Sequence, residues 1–253
     1  MRGTRTSALP PAGAPTEDEL AEEKARAELS VAPALLRMVP LAGRVVTGDA
    51  LYCQHELCQQ IRAAHGDYLF VIKRNQPELL QEVALLFEQP PPGECFTTAS
   101  SHRTQRDRCE VRLLTGSATL ANYLADLDWV GAQQVLRLES TVTHRAGAPA
   151  GQLSRLTRYF VTSLSPRVPA RTLLRLIREH WHIENRLHYV RDVTLGEDAS
   201  QVRSGTAPQA LAALRNAVLS VLRHHHYDNI AAALRHFAWT PGAALRLLGL
   251  WSP

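Results

Sequence analysis

One stretch constrains the fold more than any other. Residues 45–87 read as strand, helix, strand, helix. Asp67-Tyr68-Leu69-Phe70-Val71-Ile72-Lys73 is aromatic and β-branched, the composition of a well-buried strand. Upstream, Val45 and Val46 follow Gly43 as a short apolar run suited to a second buried strand, ending at Thr47-Gly48-Asp49. Between the two, Tyr52–His65 has helical spacing, with Leu57, Ile61 and Ala64 on one face and Gly66 as the expected C-cap. Asn75-Gln76-Pro77 then opens another helix, with Leu79, Leu80, Val83 and Leu86 inward. A β-α-β order needs a crossover connection, so the two strands are expected to pair in parallel inside an α/β layer.

The Pro90-Pro91-Pro92-Gly93 run breaks that rhythm, and residues 94–164 read as β-rich. Cys109–Leu114 alternates, Val135–Val142 is strand-like and Arg158–Leu164 is a further strand. A long helix is expected over 169–191, and another over 207–223 with Leu211, Leu214, Val218 and Leu222 inward. Residues 17–38 carry helical charge spacing with a weak apolar stripe, and the Pro/Ala/Gly-rich residues 1–16 read as unstructured. No internal repeat is visible.

With 45% apolar and 21% charged residues in 253, the chain is neither collagen-like nor wholly disordered. No apolar run approaches the ~18 residues of a membrane span, and the N-terminus lacks the apolar core of a secretory signal. The expected location is the cytoplasm. Cys53, Cys58, Cys95 and Cys109 match no zinc spacing and read as free or buried thiols.

All but two of the 28 basic residues are arginines, the exceptions being Lys24 and Lys73. Residues 151–253 hold 13 arginines against 6 acids, whereas residues 1–150 hold 15 basic and 18 acidic residues. A basic half on a nearly neutral chain points to a polyanion partner, or else to arginines solvated on helix faces.

Two carboxylates carry the candidate chemistry. Asp49 lies just past the carboxyl end of a buried strand, where open α/β sheets bind ligands; it serves equally as the N-cap of the next helix. Glu184 falls within about 20° of Ile177 on a regular helix, on the stripe shared with Trp181 and His188. A carboxylate there is paired, with His180, His188 or Arg191, or it holds a metal. Acids converging from a strand end and a helix form a hard-oxygen site for Mg²⁺ or Mn²⁺. Two such ions about 3.5–4 Å apart activate water and stabilise the leaving oxygen in phosphodiester cleavage.

The stretches GRVVTGDALYCQ and HGDYLFVIKRNQPEL, followed by RYFVTSL and IREHWHIENRLHYVRDVTLGEDAS, resemble the ISAs1 group of IS4-like DDE transposases, the H-repeat-associated proteins. The likeness covers about residues 41–225. It implies an α/β fold: an RNase H-like catalytic core, here an incomplete mixed sheet with flanking helices, carrying a β-rich insertion. It implies Mg²⁺-dependent (or Mn²⁺-dependent) cleavage and strand transfer of DNA at transposon ends, with two ions at a complete site and a paired-end homodimer. The second and third acids of the group match Asp49 and Glu184, as catalytic residues and metal ligands. Lys73, Asn75 and Gln76 match the motif after the strand; Arg178, His180, Trp181, Asn185 and His188 match the helix signature; Glu197 and Asp198 match the downstream acidic pair. These, with Arg191, are expected to contact DNA or support the acids. The implied division is a degenerate N-terminal segment (1–38), the first part of the core (39–90), the insertion (91–165), the catalytic-helix part (166–225) and a helical tail (226–253).

The chain departs from the group in one respect that bears on activity. The group's first acid sits in an Asp-Gly-Lys motif that this sequence lacks; Met1-Arg2-Gly3-Thr4 looks like that motif's tail, and Asp18 lies in a solvated run. The expectation is an N-terminally truncated transposase with impaired catalysis. At the positions of the wider Tyr, Arg and Lys signature stand Ile177, His180 and Arg191. Two other readings compete: a catalytically dead transposase-derived DNA-binding protein, and a zinc hydrolase using His180, Glu184 and His188. The run His224-His225-His226 points its side chains in different directions and cannot chelate as a helical pair does.

Overall fold

The computed structural model describes residues 17–104, 108–144, 153–182 and 187–250. The chain divides into two compact units, residues 1–177 and 178–253, with the division inside one helix. Residues 1–16, expected to be unstructured, lie outside the described residues.

The first unit is built on one six-stranded mixed sheet. Its strands are β1 (Val45–Gly48), β2 (Asp67–Ile72), β3 (Thr97–Thr104), β4 (Arg108–Ser117), β5 (Gln134–His144) and β6 (Leu153–Thr162), in the order β1-β2-β6-β5-β4-β3. The expected parallel pair is there: Val45 pairs with Asp67 and Gly48 with Phe70. All other pairings are antiparallel. The β-rich stretch therefore forms no sheet of its own. Its last strand, β6, lies directly against β2 and extends the α/β layer.

The two faces have separate cores. On one, α2 (His55–Ala63), α3 (Pro77–Glu88) and the short α4 (Ala121–Asp126) gather Ile61, Val83 and Leu124 around Tyr68, Phe70, Val135 and Val161. On the other, α5 (Ala170–His182) sets Leu173, Leu174 and Ile177 on Leu69, Val71, Leu114, Leu136, Leu138 and Phe160. Period-2 alternation along each strand assigns these residues to opposite faces. The helix α1 (Glu17–Met38) touches the rest through buried Ala32 and half-buried Leu36, while Val31, Leu35 and Met38 stay exposed. Its weak apolar stripe matches that shallow contact.

Several expected details are corrected. The segment after Asp49 is not one helix from Tyr52: a 3₁₀ turn spans Ala50–Tyr52 and α2 begins at His55. Ala64 is exposed. The left-handed residue that ends α2 is His65, at φ 58°, rather than Gly66. His65 N–H donates to Arg62 O and Gly66 N–H to Ile61 O, the two bonds of a Schellman cap. Gly66 is required for space: a Cβ there would lie 3.0 Å from Leu41 O and 3.2 Å from Ile61 Cγ2.

Of the long helix expected over 169–191, Ala170–His182 is helical, residues 183–186 lie outside the described residues, and Val190–Thr194 winds as a π-helix. Among the described residues of this stretch the last buried position is Ile177; Trp181 is 37% exposed and His188 is exposed. Glu184, expected on that stripe, lies outside the described residues.

The second unit packs α6 (Ala207–His224), α7 (Ile230–Trp239) and α8 (Pro241–Leu247) around Leu219, Leu222, Ile230 and Ala233, with Leu187, Val190 and Leu195 of the π region against them. On α6 the inward leucines are Leu219 and Leu222; Leu214 is 60% exposed, about 110° from the buried direction. His226, at φ 61°, terminates α6, with Tyr227 N–H bonded to Leu222 O. The exposed histidine run is thus a helix end. No helix among the described residues is long and apolar enough to cross a membrane.

Candidate functional site

Asp49 follows the last residue of β1, at the edge where β1 and β2 both end. Its carboxylate is exposed, and its backbone is still extended at φ −67° and ψ 173°. It occupies the N-cap position of the 3₁₀ turn without making a side-chain capping bond. The turn begins here because Gly48 allows it. A Cβ on Gly48 would meet Phe70 Cε1 at 3.0 Å and Tyr52 Cβ at 3.1 Å, so any larger residue would push β1 off its neighbours.

The loop beyond Asp49 is fixed from the end of β2. Asn75 Nδ2 donates to Ala50 O at 2.7 Å, and Gln76 Nε2 donates to Cys53 O at 3.0 Å. Gln76 sits at the N-cap of α3, yet its side chain is engaged with this loop and makes no cap bond. Pro77 at the first turn leaves one fewer backbone donor to satisfy there. Lys73 and Arg74 are exposed beside them. Burial, and then the Glu28 and Asp49 carboxylates, push the Tyr52 phenol above its usual value. The two parallel strand ends therefore present one carboxylate on a pinned loop, with cations on the adjacent turn.

In the second unit the signature residues divide. Glu184 and Asn185 lie outside the described residues. Arg178 and His188 are exposed, and His180 is half-buried. Arg191 and Glu197 meet as a bidentate pair, Nε to Oε2 at 2.6 Å and Nη2 to Oε1 at 2.5 Å. The pairing raises the arginine's pKa and holds the Glu197 carboxyl below its usual range. Leu195 N–H bonds Val190 O and Glu197 N–H bonds Arg191 O, so this ion pair clasps the π turn. Asp198 is exposed next to it.

Comparison with known proteins decides the family. Residues 19–221 match the transposase DDE domain. The chain belongs to that family. It is 27% identical over 203 residues to the "H repeat-associated putative transposase YhhI" of Escherichia coli K12, covering 77% of this chain and 51% of that one. It is 29% identical over 202 residues to the "Putative transposase YncI" of Escherichia coli O157:H7, covering 78% and 50%. YbfL of Escherichia coli K12 is 26% identical over 212 residues, covering 81% and 54%. The chain spans about half the length of these curated relatives.

A DDE transposase domain depends on divalent metal in general. Among the described residues no three His, Cys, Asp or Glu side chains gather as a cation site. Asp49 contributes one hard oxygen donor at the strand edge, which alone does not make a site. The role of Asn75 and Gln76 in holding the Asp49 loop could not be assigned from the transposase motif, because a side-chain amide bonded to a backbone carbonyl leaves no periodic trace in sequence.

Proposed function

We propose that this transposase domain handles the DNA of an insertion sequence, and that Asp49 and Glu184 are its second and third acids. The observation that carries the reading is the placement of Asp49: exposed, at the carboxyl edge of the parallel pair, on a loop held by Asn75 and Gln76. Asp49 and Glu184 would hold Mg²⁺ or Mn²⁺, which when bound activates water and stabilises the leaving oxygen at the scissile phosphate. Asp49 presents its carboxylate from a fixed backbone, so little ordering is left for the moment of substrate binding. Lys73 and Arg178 would contact phosphates; His180, Trp181, Asn185, His188 and Asp198 would line the DNA path; Arg191 and Glu197 keep the π turn in place.

The complete reaction is DNA cleavage and strand transfer at the ends of the element, within a homodimer in the cytoplasm. Residues 1–253 contain no match to the Asp-Gly-Lys motif that carries the group's first acid, so a polypeptide of these residues alone is expected to cleave poorly. The test is Mg²⁺-dependent nicking of DNA carrying terminal inverted repeats. Little or no product is expected; robust nicking that Asp49→Ala abolishes would refute the impairment. DNA binding that ignores both cation and acids would favour a non-cutting DNA-binding protein.

A further inference from the structure

The basic character of the chain is concentrated in a place that composition alone does not reveal. Residues 151–177 hold five arginines and no acid, whereas residues 178–253 hold eight arginines against six acids. The excess therefore belongs to β6, the following turn and the first part of α5, all in the sheet-bearing unit.

Strand register shows where these arginines meet others. Arg108, Glu110, Arg112 and Leu114 alternate onto one face of β4. Across the ladder, Ser101, Arg112, Ser140 and Leu156 form one row, and Arg103, Glu110, Val142 and Ser154 form the next. Arg158 lies level with Leu138 and Leu114, whose burial under α5 fixes this as the α5 face. Arg103, Arg108, Arg112 and Arg158 thus share one face; among the described residues of β3–β6 the acid on that face is Glu110, which pairs with Arg112 at 2.6 Å. The opposite face of the same strands carries Arg155, together with Arg137, which lies 5.2 Å from the Phe87 ring centre and is paired with Glu139.

Burial falls off along these strands. Arg103, Arg108 and Leu156 are exposed, while Leu114, Leu138 and Phe160 nearer the middle are buried. The exposed end is also the end at which β1 and β2 stop and Asp49 stands. Strand neighbours lie about 4.8 Å apart and alternate residues about 6.7 Å apart along a strand, so the cations spread over a two-dimensional grid. Such a grid, interspersed with serine hydroxyls, fits a repeating polyanion and is ill suited to a single small anion.

We infer that the outer α5 face of β3–β6, carrying Arg103, Arg108, Arg112 and Arg158, is a docking surface for the phosphate backbone of duplex DNA. The inference deepens the proposed function, from which it takes its partner, and rests on residues other than the two proposed acids. Contacts of this kind position the duplex without reading its sequence.

The test is a fluorescence-anisotropy titration of the full chain with a random-sequence duplex, in EDTA, across a NaCl series. The combined variant Arg103→Gln/Arg108→Gln/Arg158→Gln is expected to weaken binding on the order of tenfold or more at 0.1 M NaCl. The slope of log affinity against log salt should fall by about 3, near one for each phosphate contact removed. Arg155→Gln, on the opposite face, should change affinity less than about twofold, the effect of removing one charge without a contact. Equal affinity of the combined variant and Arg155→Gln, or no binding by the wild type, overturns the inference. If the combined variant does not fold by circular dichroism, Arg103→Glu compared with Arg155→Glu makes the same distinction. EDTA removes the cation from the measurement, so a failed cation site would appear in a metal titration and leave this result standing.

Discussion

Asn75 Nδ2 donates a 2.7 Å hydrogen bond to the carbonyl of Ala50, the residue after Asp49. Residues at the ends of two parallel strands are thereby tied together, and the candidate carboxylate inherits the rigidity of the sheet. Asn75→Ala and Gln76→Ala should each lower stability by about 1 kcal/mol, the usual net value of one such bond. Amide hydrogen exchange should accelerate at Tyr52 and Cys53 while the β5 amides keep their protection. Uniform acceleration across the sheet would show that the amides support the whole unit and not this loop.

Gly66→Ala should destabilise the first unit by about 1–3 kcal/mol, as an overpacked core position does. The added Cβ would crowd Leu41 O at 3.0 Å and Leu41 Cβ at 3.1 Å, both on the chain leading into β1. His65→Gly is expected not to destabilise, because residue 65 holds φ 58°, a conformation glycine adopts freely. Urea denaturation of the two variants checks the contrast.

The Arg191–Glu197 pair makes stability depend on pH in a stated direction. The folded Glu197 carboxyl titrates below its ordinary value of 4.5, with Arg191 as the first cause. Its contribution is therefore fully present above pH 4.5 and is lost as the pH falls through the lower, folded value. Wild type and Glu197→Gln should differ most in thermal midpoint near neutral pH and converge in acid. A constant gap at all pH values would mean that the substitution acts through packing.

Cys53 and Cys58 are buried, and burial pushes both thiols up, Cys58 to about 12. At pH 8 a disulfide reagent should modify Cys95, which is exposed, and then Cys109. Cys53 and Cys58 should react only after denaturation, because the thiolate is the reactive form. Four equivalent thiols in the native protein would contradict this packing.

The β-α-β-α unit was legible in the sequence because both of its periodicities are strong. Tyr68–Ile72 is apolar throughout, and Leu79, Val83 and Leu86 repeat at helical spacing. Their burial follows. The Schellman end of α2 was not legible. A histidine in the left-handed conformation gives no local signal, and Gly66 answers to Leu41, a partner distant along the chain. The arginine face had the same obstacle. Arg108 and Arg112 alternate visibly on β4, but their company with Arg103 and Arg158 is set by strand order and register, which are long-range facts. The π turn at Val190–Thr194 escaped because the apolar pattern there suits an ordinary helix. Asp49 was placed correctly at a strand edge by the run Val45–Gly48, whereas Glu184 and Asn185 lie outside the described residues.

In the proposed function Asp49 and Glu184 share one divalent cation. The most direct test is a Mn²⁺ titration of the intact chain, read as loss of the free-ion electron paramagnetic resonance signal, for wild type, Asp49→Ala and Glu184→Ala. Saturable binding by the wild type that either substitution weakens by tenfold or more, with both variants folded, is the predicted result. Wild-type Mn²⁺ affinity in both variants would contradict it.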